Sequence, residues 1–261
     1  MEFLEAIIKH LDNGARFSAT SPFSYFIETK KLKIHYVKIE HFNVHFYNAA
    51  KKLLNTNHEF YVTVFEDQFK IAPNKIIDRL KYQTGSSIRI HGRKTSIVKL
   101  NKLDAIDFLL KNHGNVALKT KYNYGLKNKS GSLVAIACFG QIIEMRSGAK
   151  SSELIRFCNL SGTHVVGGLT KLINHFQKTH LLEELMTYCD LEWSNGANYE
   201  KLGFKNIETT NPIKFIVNLS NWERKYAQNF KVIEDLALVK FDNFRSIENL
   251  GSIKFIKYFN D

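Results

Sequence analysis

The chain has 261 residues, 44% of them hydrophobic, with 20 Phe and 11 Tyr, and a formal net charge of +12. That apolar content excludes a disordered chain, and the length suits one large domain or two small ones. No apolar run approaches the ~20 residues of a membrane span, so no membrane association is expected. Cys138, Cys158 and Cys189 sit in apolar runs without metal-type spacing. They read as reduced, buried thiols of a cytoplasmic protein.

Positive charge is concentrated. Lys70–Lys102 holds nine Lys/Arg against the single acid Asp78, and Lys111–Lys129 adds five lysines and no acid. Such a run favours a polyanion, and nucleic acid, DNA foremost, is the expected partner. A Lys-rich composition of low-GC type is the plain alternative.

Residues 1–13 (MEFLEAIIKHLDN) predict an amphipathic helix rather than a signal peptide, with Phe3, Leu4, Ile7, Ile8 and Leu11 on one side and Gly14 as its stop. Lys30–Phe46 alternates as a strand, Asn48–Leu54 reads as a short helix and Phe60–Phe65 as a strand. Pro73 suits the first turn of a helix through Tyr82, which Thr84-Gly85 ends. Ser87–Leu100 reads as a strand and Leu103–Asn112 as a helix. Tyr122–Leu126 and Ser132–Phe139 flank an Asn-Lys-Ser-Gly turn and predict a hairpin. Strand Leu154–Asn159, helix Gly168–His180, strand Glu184–Cys189, short helix Asn198–Leu202 and strand Phe215–Asn218 follow. The end of the chain offers a helix candidate and an edge strand, Ser252–Phe259. Three regions are expected: a basic α/β region (1–86), a core domain (87–220) and an extension (221–261).

Candidate chemistry gathers in the second half. Asp190 ends an apolar strand beside a Ser-Asn-Gly loop, a position that suits a general base and equally suits a capping carboxylate. His113 follows a helix and precedes Gly114, as an acid/base partner or as a group at the helix C-terminal dipole. Glu153 and Arg156, three apart on one strand, are expected on opposite faces of the sheet. Gly167 and Gly168 open a helix where backbone N–H groups can approach an anion, or where the helix packs closely. Arg89, His91, Arg93 and Lys94 alternate with apolar residues, giving a basic strand face for phosphates or a charged, solvated edge. His41 and His45 lack a second ligand pair, so no metal is expected.

The segment Met186–Phe204 ends in Asn195-x-x-x-Tyr199-Glu200-Lys201-Leu202-Gly203-Phe204, which resembles the last element of the GNAT acyltransferase fold. The order of elements from Ser87 onward is similar to that core. So are Asn112-His113, Gly125-Leu126, Glu153-Leu154-Ile155-Arg156, Thr187-Tyr188-Cys189-Asp190 and Tyr199, which resemble the phage Mom DNA-modification branch in order. A similar block forms the C-terminal portion of phage homing-endonuclease-like proteins. The resemblance covers roughly 88–217. It implies an α+β fold with a GNAT-like mixed sheet and an acyl- or carbamoyl-type transfer to a base or amine on nucleic acid. Asp190 would be the general base, and Tyr188 or Tyr199 a hydroxyl facing the donor. It also implies acetyl-CoA or another acyl donor. The family's Arg/Gln-x-x-Gly-x-Gly/Ala stretch is matched only at Gly167, with His164 and Leu169 departing, so the donor stays open. The rival is a nucleic-acid-binding module that kept the fold without the chemistry.

Overall fold

The structure is a computed structural model, and it describes residues 2–40, 60–114, 117–229 and 243–259. The helix expected at Asn48–Leu54, and His41 and His45, lie outside these. Among the described residues no helix is long and apolar enough to cross a membrane. The chain forms two units. One comprises Met1–Ile77, Asp190–Asn195 and Thr209–Ser252; the other comprises Asp78–Cys189, Gly196–Glu208 and Ile253–Asp261.

In the first unit, helix α1 (Glu2–His10) buries Phe3 and Ile7, with the Phe3 ring stacked 4.2 Å from Tyr36. A four-stranded sheet runs β1 (Arg16–Ser21), β2 (Ser24–Glu28), β3 (Lys33–Val37), β4 (Val62–Phe65), antiparallel except for the last, parallel pair. Helix α2 (Glu66–Ile71) follows β4 directly, and Gln68 Oε1 accepts the Phe65 N–H at 3.1 Å. That satisfies one donor at the helix start.

Helix α3 spans Pro73–Gln83, close to its expected bounds. A second, antiparallel sheet of this unit holds β14 (Lys214–Asn218) between β15 (Arg224–Tyr226) and β16 (Phe244–Glu248). Phe23, Val37, Ile39, Phe65, Val217 and Ile247 share one buried cluster.

The second unit is built on an eight-stranded mixed sheet with helices on both faces, the α+β arrangement expected for this region. Its strands are β6 (Ser96–Lys99), β7 (Tyr122–Lys127), β8 (Leu133–Phe139), β9 (Ile143–Glu144), β10 (Lys150–Asn159), β12 (Glu184–Asp190), β13 (Lys205–Thr209) and β17 (Ser252–Tyr258). The order is β13-β17-β12-β10-β8-β7-β6, with β9 paired to β10. From β6 to β10 the pairs are antiparallel, whereas β10 and β12 are parallel. Helix α5 (Gly168–His180) is the connection between those two, as a parallel pair requires. One face of the sheet takes helix α4 (Lys102–Asn112), whose Ala105, Phe108 and Leu109 pack on Ile136, Cys138 and Cys158. The other takes α5, with Phe176 stacked 3.9 Å from Phe139.

Three expectations are corrected. Ser87–Leu100 is not one strand: β5 (Ile88–His91) pairs in parallel with β11 (Thr163–Val166), a 3-10 turn occupies Gly92–Lys94, and β6 joins the large sheet. The break falls at Gly92, where a Cβ would lie 2.9 Å from the Val166 carbonyl oxygen, so the strand cannot run on past β11 with a larger residue. The strand expected at Phe215–Asn218 belongs to the first unit's sheet and not to the large one. Strand β17 is no edge strand, because it lies between β13 and β12.

Candidate active site

The site is centred where β10 and β12 part. They pair from Ser151–Glu184 to Leu154–Thr187 and no further, although β10 continues to Asn159 and β12 to Asp190. The buried Thr187 hydroxyl donates to the Leu154 carbonyl at 3.0 Å, at the last point of pairing. Tyr199, on helix α6 (Ala197–Lys201), hydrogen-bonds to Thr187. Burial raises the Tyr199 phenol above its ordinary range, so it keeps its proton at neutral pH. Its ring rests on Phe204 and Phe255, at 5.4 and 5.5 Å.

On the face that carries α4, the backbone rearranges the sequence pattern. Leu154 opposes Phe139 and Arg156 opposes Cys138, so two steps along β10 match one along β8. This bulge at Ile155 inverts the alternation beyond it. Glu153 and Arg156 therefore share a face, contrary to the expectation of opposite faces. A Cβ at Gly140, two residues on from Cys138, would meet Glu153 Cβ at 3.7 Å, consistent with that side. Glu153 pairs with Met186, which puts Tyr188 on the same face, 42% exposed. Burial raises the half-buried Glu153 carboxyl, and the Arg156 guanidinium opposes the rise. Arg156 Nη1 donates to its neighbour's carbonyl, Ile155 O, at 2.7 Å, and its buried Nε has no hydrogen-bond partner among the described residues.

At the C-terminal end of β10 the chain makes β11 and then opens α5. Gly167 is the N-cap with φ +72, a conformation glycine adopts without strain, and Gly168 follows it. Lys171, in the first turn, donates through Nζ to the Gly92 carbonyl at 3.0 Å and to the Thr95 carbonyl. Val166 pairs with His91, and the 3-10 turn lies against Gly167-Gly168. Arg89, His91, Arg93 and Lys94 are all exposed, so this glycine turn has a basic border. His164 is tilted edge-on to Tyr82 at 4.7 Å, and burial, with Arg89 adding to it, lowers its pKa. His113 caps α4, its N–H donating to Leu109 O at 2.8 Å. Asn112 beside it accepts the Ser161 N–H at 2.9 Å, which ties this helix end to the end of β10.

Asp190 has different surroundings. Its Oδ1 accepts the Glu192 N–H at 3.0 Å, and its carbonyl accepts the N–H groups of Trp193 and Ser194, each at 3.0 Å. That is the geometry of a carboxylate closing a turn, and the segment Asp190–Asn195 counts with the first unit. Among the described residues no three His, Cys, Asp or Glu are grouped to hold a metal ion. The sequence names Thr187 only as part of a motif, with no role, and gives no expectation for Lys171. A lone Thr in the apolar run Leu185–Cys189 was the available signal for the first; nothing local marked the second.

No protein-family model and no curated protein matches the chain. Solved structures resembling it include the Escherichia coli ribosomal-protein-S18-alanine N-acetyltransferase, at 16% identity over 63% of this chain and 93% of that one, TM-score 0.38. Arabidopsis thaliana Naa50, in complex with a bisubstrate analogue, gives 14% identity over 64% and 99%, TM-score 0.40. Vibrio cholerae spermidine/spermine N-acetyltransferase SpeG gives 11% over 64% and 94%, TM-score 0.39. Likeness at this level assigns neither substrate nor activity.

Proposed function

We propose that the chain is a GNAT-like transferase that places an acyl-type group on a base or other amine of nucleic acid, DNA foremost. The observation that carries this is the parting of β10 from β12, with Tyr199 hydrogen-bonded at the last point of pairing and Glu153 on the strand pair's other face. Glu153 is the better base of the two carboxylates. It is half-buried, and burial raises its pKa, while Asp190 is engaged by a backbone N–H. Tyr199 holds a proton at its phenolic oxygen where the strands part. Arg156 and Tyr188 line the acceptor side, with His113 at the end of the adjacent helix.

An acyl-coenzyme A fits the chain in part. The Gly167-Gly168 turn, the start of a thirteen-residue helix and the basic residues beside it suit a pyrophosphate, whereas His164 and Leu169 depart from the family's stretch. Bound, such a donor would supply the activated acyl group. The Mom-like resemblance and the concentration of Lys and Arg around Arg89–Lys94 support nucleic acid as acceptor. Three buried cysteines support a cytoplasmic setting.

The test is to incubate the protein with DNA and a cell extract and read nucleosides by mass spectrometry. A mass shift is expected, and Glu153→Gln should lower its rate by about 10²–10⁴ with nucleic-acid affinity kept. DNA binding with no mass shift under any donor would favour the rival reading, a binding module without chemistry. The departures at His164 and Leu169 are what favour that rival.

A further inference from the structure

Arg156 has an unusual position for a strand arginine. The bulge at Ile155 turns it onto the Glu153 face, opposite Cys138 and close to the half-buried carboxylate. No salt bridge engages it among the described residues, and its one hydrogen bond goes to the carbonyl of its own neighbour. A guanidinium held this way keeps its charge undiminished by a partner, and in a half-buried setting that charge is weakly screened. Without the bulge the two side chains would stand on opposite faces, with the sheet between them. A bulge next to a reactive group commonly re-aims a side chain, and here the side chain re-aimed is the cation.

We propose that Arg156 is a positioning residue for Glu153: from its place across the bulge, its charge keeps the carboxylate anionic and so fixes the pH at which the base can accept a proton. This rests on Glu153 being the base of the proposed transfer. The charged and titratable groups sharing that face are few. Among the described residues, Arg156 stands on the same strand, Glu184, Tyr188 and Asp190 lie an even number of residues from Met186 on β12, and Cys138 lies on β8. Of these only Arg156 is a cation. Helix α4 turns Ala105, Phe108 and Leu109 toward the sheet, with His113 at its C-terminal end.

The experiment titrates the full chain carrying 13C-carboxyl-labelled glutamate, identifying the Glu153 resonance by its loss in Glu153→Gln. In Arg156→Gln the midpoint of that resonance should move to higher pH. Arg156→Lys, which keeps the charge, should return it most of the way. Where transfer is measurable, the acid limb of its pH–rate profile should move by the same amount, with the high-pH plateau little changed. An unmoved midpoint in Arg156→Gln would overturn the proposal, as would equal shifts in the Gln and Lys variants, which would mark a packing effect. If Arg156→Gln does not fold, Arg156→Met and Arg156→Lys give the same contrast of charge removed against charge kept. A shifted midpoint with full activity in Glu153→Gln would keep the tuning and remove the base role, so the two ideas fail separately.

Discussion

The interiors of the two units handle charge differently. In the first, His35, Glu66, Asp67 and Glu192 are all buried. In the second, the buried polar residues among those described are Thr84, Thr95, Thr120, Asn123, Ser151, Ser152 and Thr187, none of which carries charge. Its strongest candidate base, Glu153, is only half-buried. Buried charge is tolerated when paired and hydrogen-bonded, and a carboxylate meant to exchange protons needs a path to solvent. A perturbed pKa therefore means different things in the two units. For the carboxyls, Glu192 in the first belongs to an internal network, and Glu153 in the second is partly open to solvent.

The sharpest way to break that comparison lies in the first unit. Arg224 clasps Asp67 through two hydrogen bonds, 2.6 and 2.7 Å, and its guanidinium lies 5.0 Å from the Phe65 ring centre and 5.2 Å from that of Phe215. Arg224→Met strands the Asp67 carboxylate in the interior and should cost on the order of 3–5 kcal/mol in denaturant unfolding. Adding Asp67→Asn should recover part of that loss. A cost below about 1 kcal/mol for the single change would mean that the pair is not a structural element of the unit.

Glu192 gives the next effect. Its carboxyl is 2% exposed; burial first, and Asp190 next, push its pKa up to about 8, with Arg224 opposing. Gln68 Nε2 donates to one oxygen at 3.2 Å, and Oε1 has no partner among the described residues. The folded pKa exceeds the ordinary 4.5, so the stability linked to this proton is full below that value and is lost as pH rises through about 8. His35 works in the opposite sense. Buried against Ser24, with its pKa lowered from 6.5 to about 4, it favours the fold above 6.5 and withdraws that support as pH falls. Between pH 6.5 and 8 the support from Glu192 falls while that from His35 is already present, and melting temperature should decline there. Glu192→Gln should flatten the decline, removing a loss on the order of a few kcal/mol. A decline that persists in the variant would place its source elsewhere.

A smaller effect tests the basic border of the second unit. Neutralising Arg89, Arg93 and Lys94 together should flatten the slope of log affinity for DNA against log salt by roughly 2–3. The turn they occupy abuts Gly167-Gly168, so the same charges could serve a donor's phosphates. An unchanged slope with a raised donor KM would assign them there.

Much of the second unit was legible in the sequence because its signals are local. Helix α5 begins at Gly168 and ends at His180, as the apolar spacing and the glycines indicate, and the parallel pairing across it follows from the length of the connection. The hairpin Tyr122–Phe139 follows from its turn. What escaped is set by distant contacts. The alternation of Ile88–His91 gives way at Gly92 to the polar run Arg93–Ser96, and the approach of Val166 to Gly92 is seen only in the fold. Glu153-Leu154-Ile155-Arg156 likewise reads as plain strand, because the extra residue at Ile155 is visible only against β8. The hairpin of β1 and β2 drew no expectation, since its strand Arg16–Ser21 is exposed almost throughout and has no apolar face to mark it.

Asp190 shows the limit most directly, and its effect should be the smallest. An acid at the tip of an apolar strand looks like a base in sequence, and the same position suits a turn-closing carboxylate. Its Oδ1 accepts the Glu192 N–H at 3.0 Å, a bond that an asparagine side-chain oxygen can keep. Asp190→Asn also removes a negative charge near Glu192, whose burial already favours the neutral form. The substitution should therefore change stability by less than about 1 kcal/mol, with any gain appearing at the alkaline end where Glu192 ionises. Yield of modified nucleoside should be unaffected. Asp190→Ala, which removes the acceptor itself, should cost about 1 kcal/mol and separate the turn from the charge. If instead Asp190→Asn abolished transfer at unchanged melting temperature while Glu153→Gln left it intact, Asp190 would be the base and Glu153 the bystander. The distinction drawn here between a network acid and a reachable one would then be reversed.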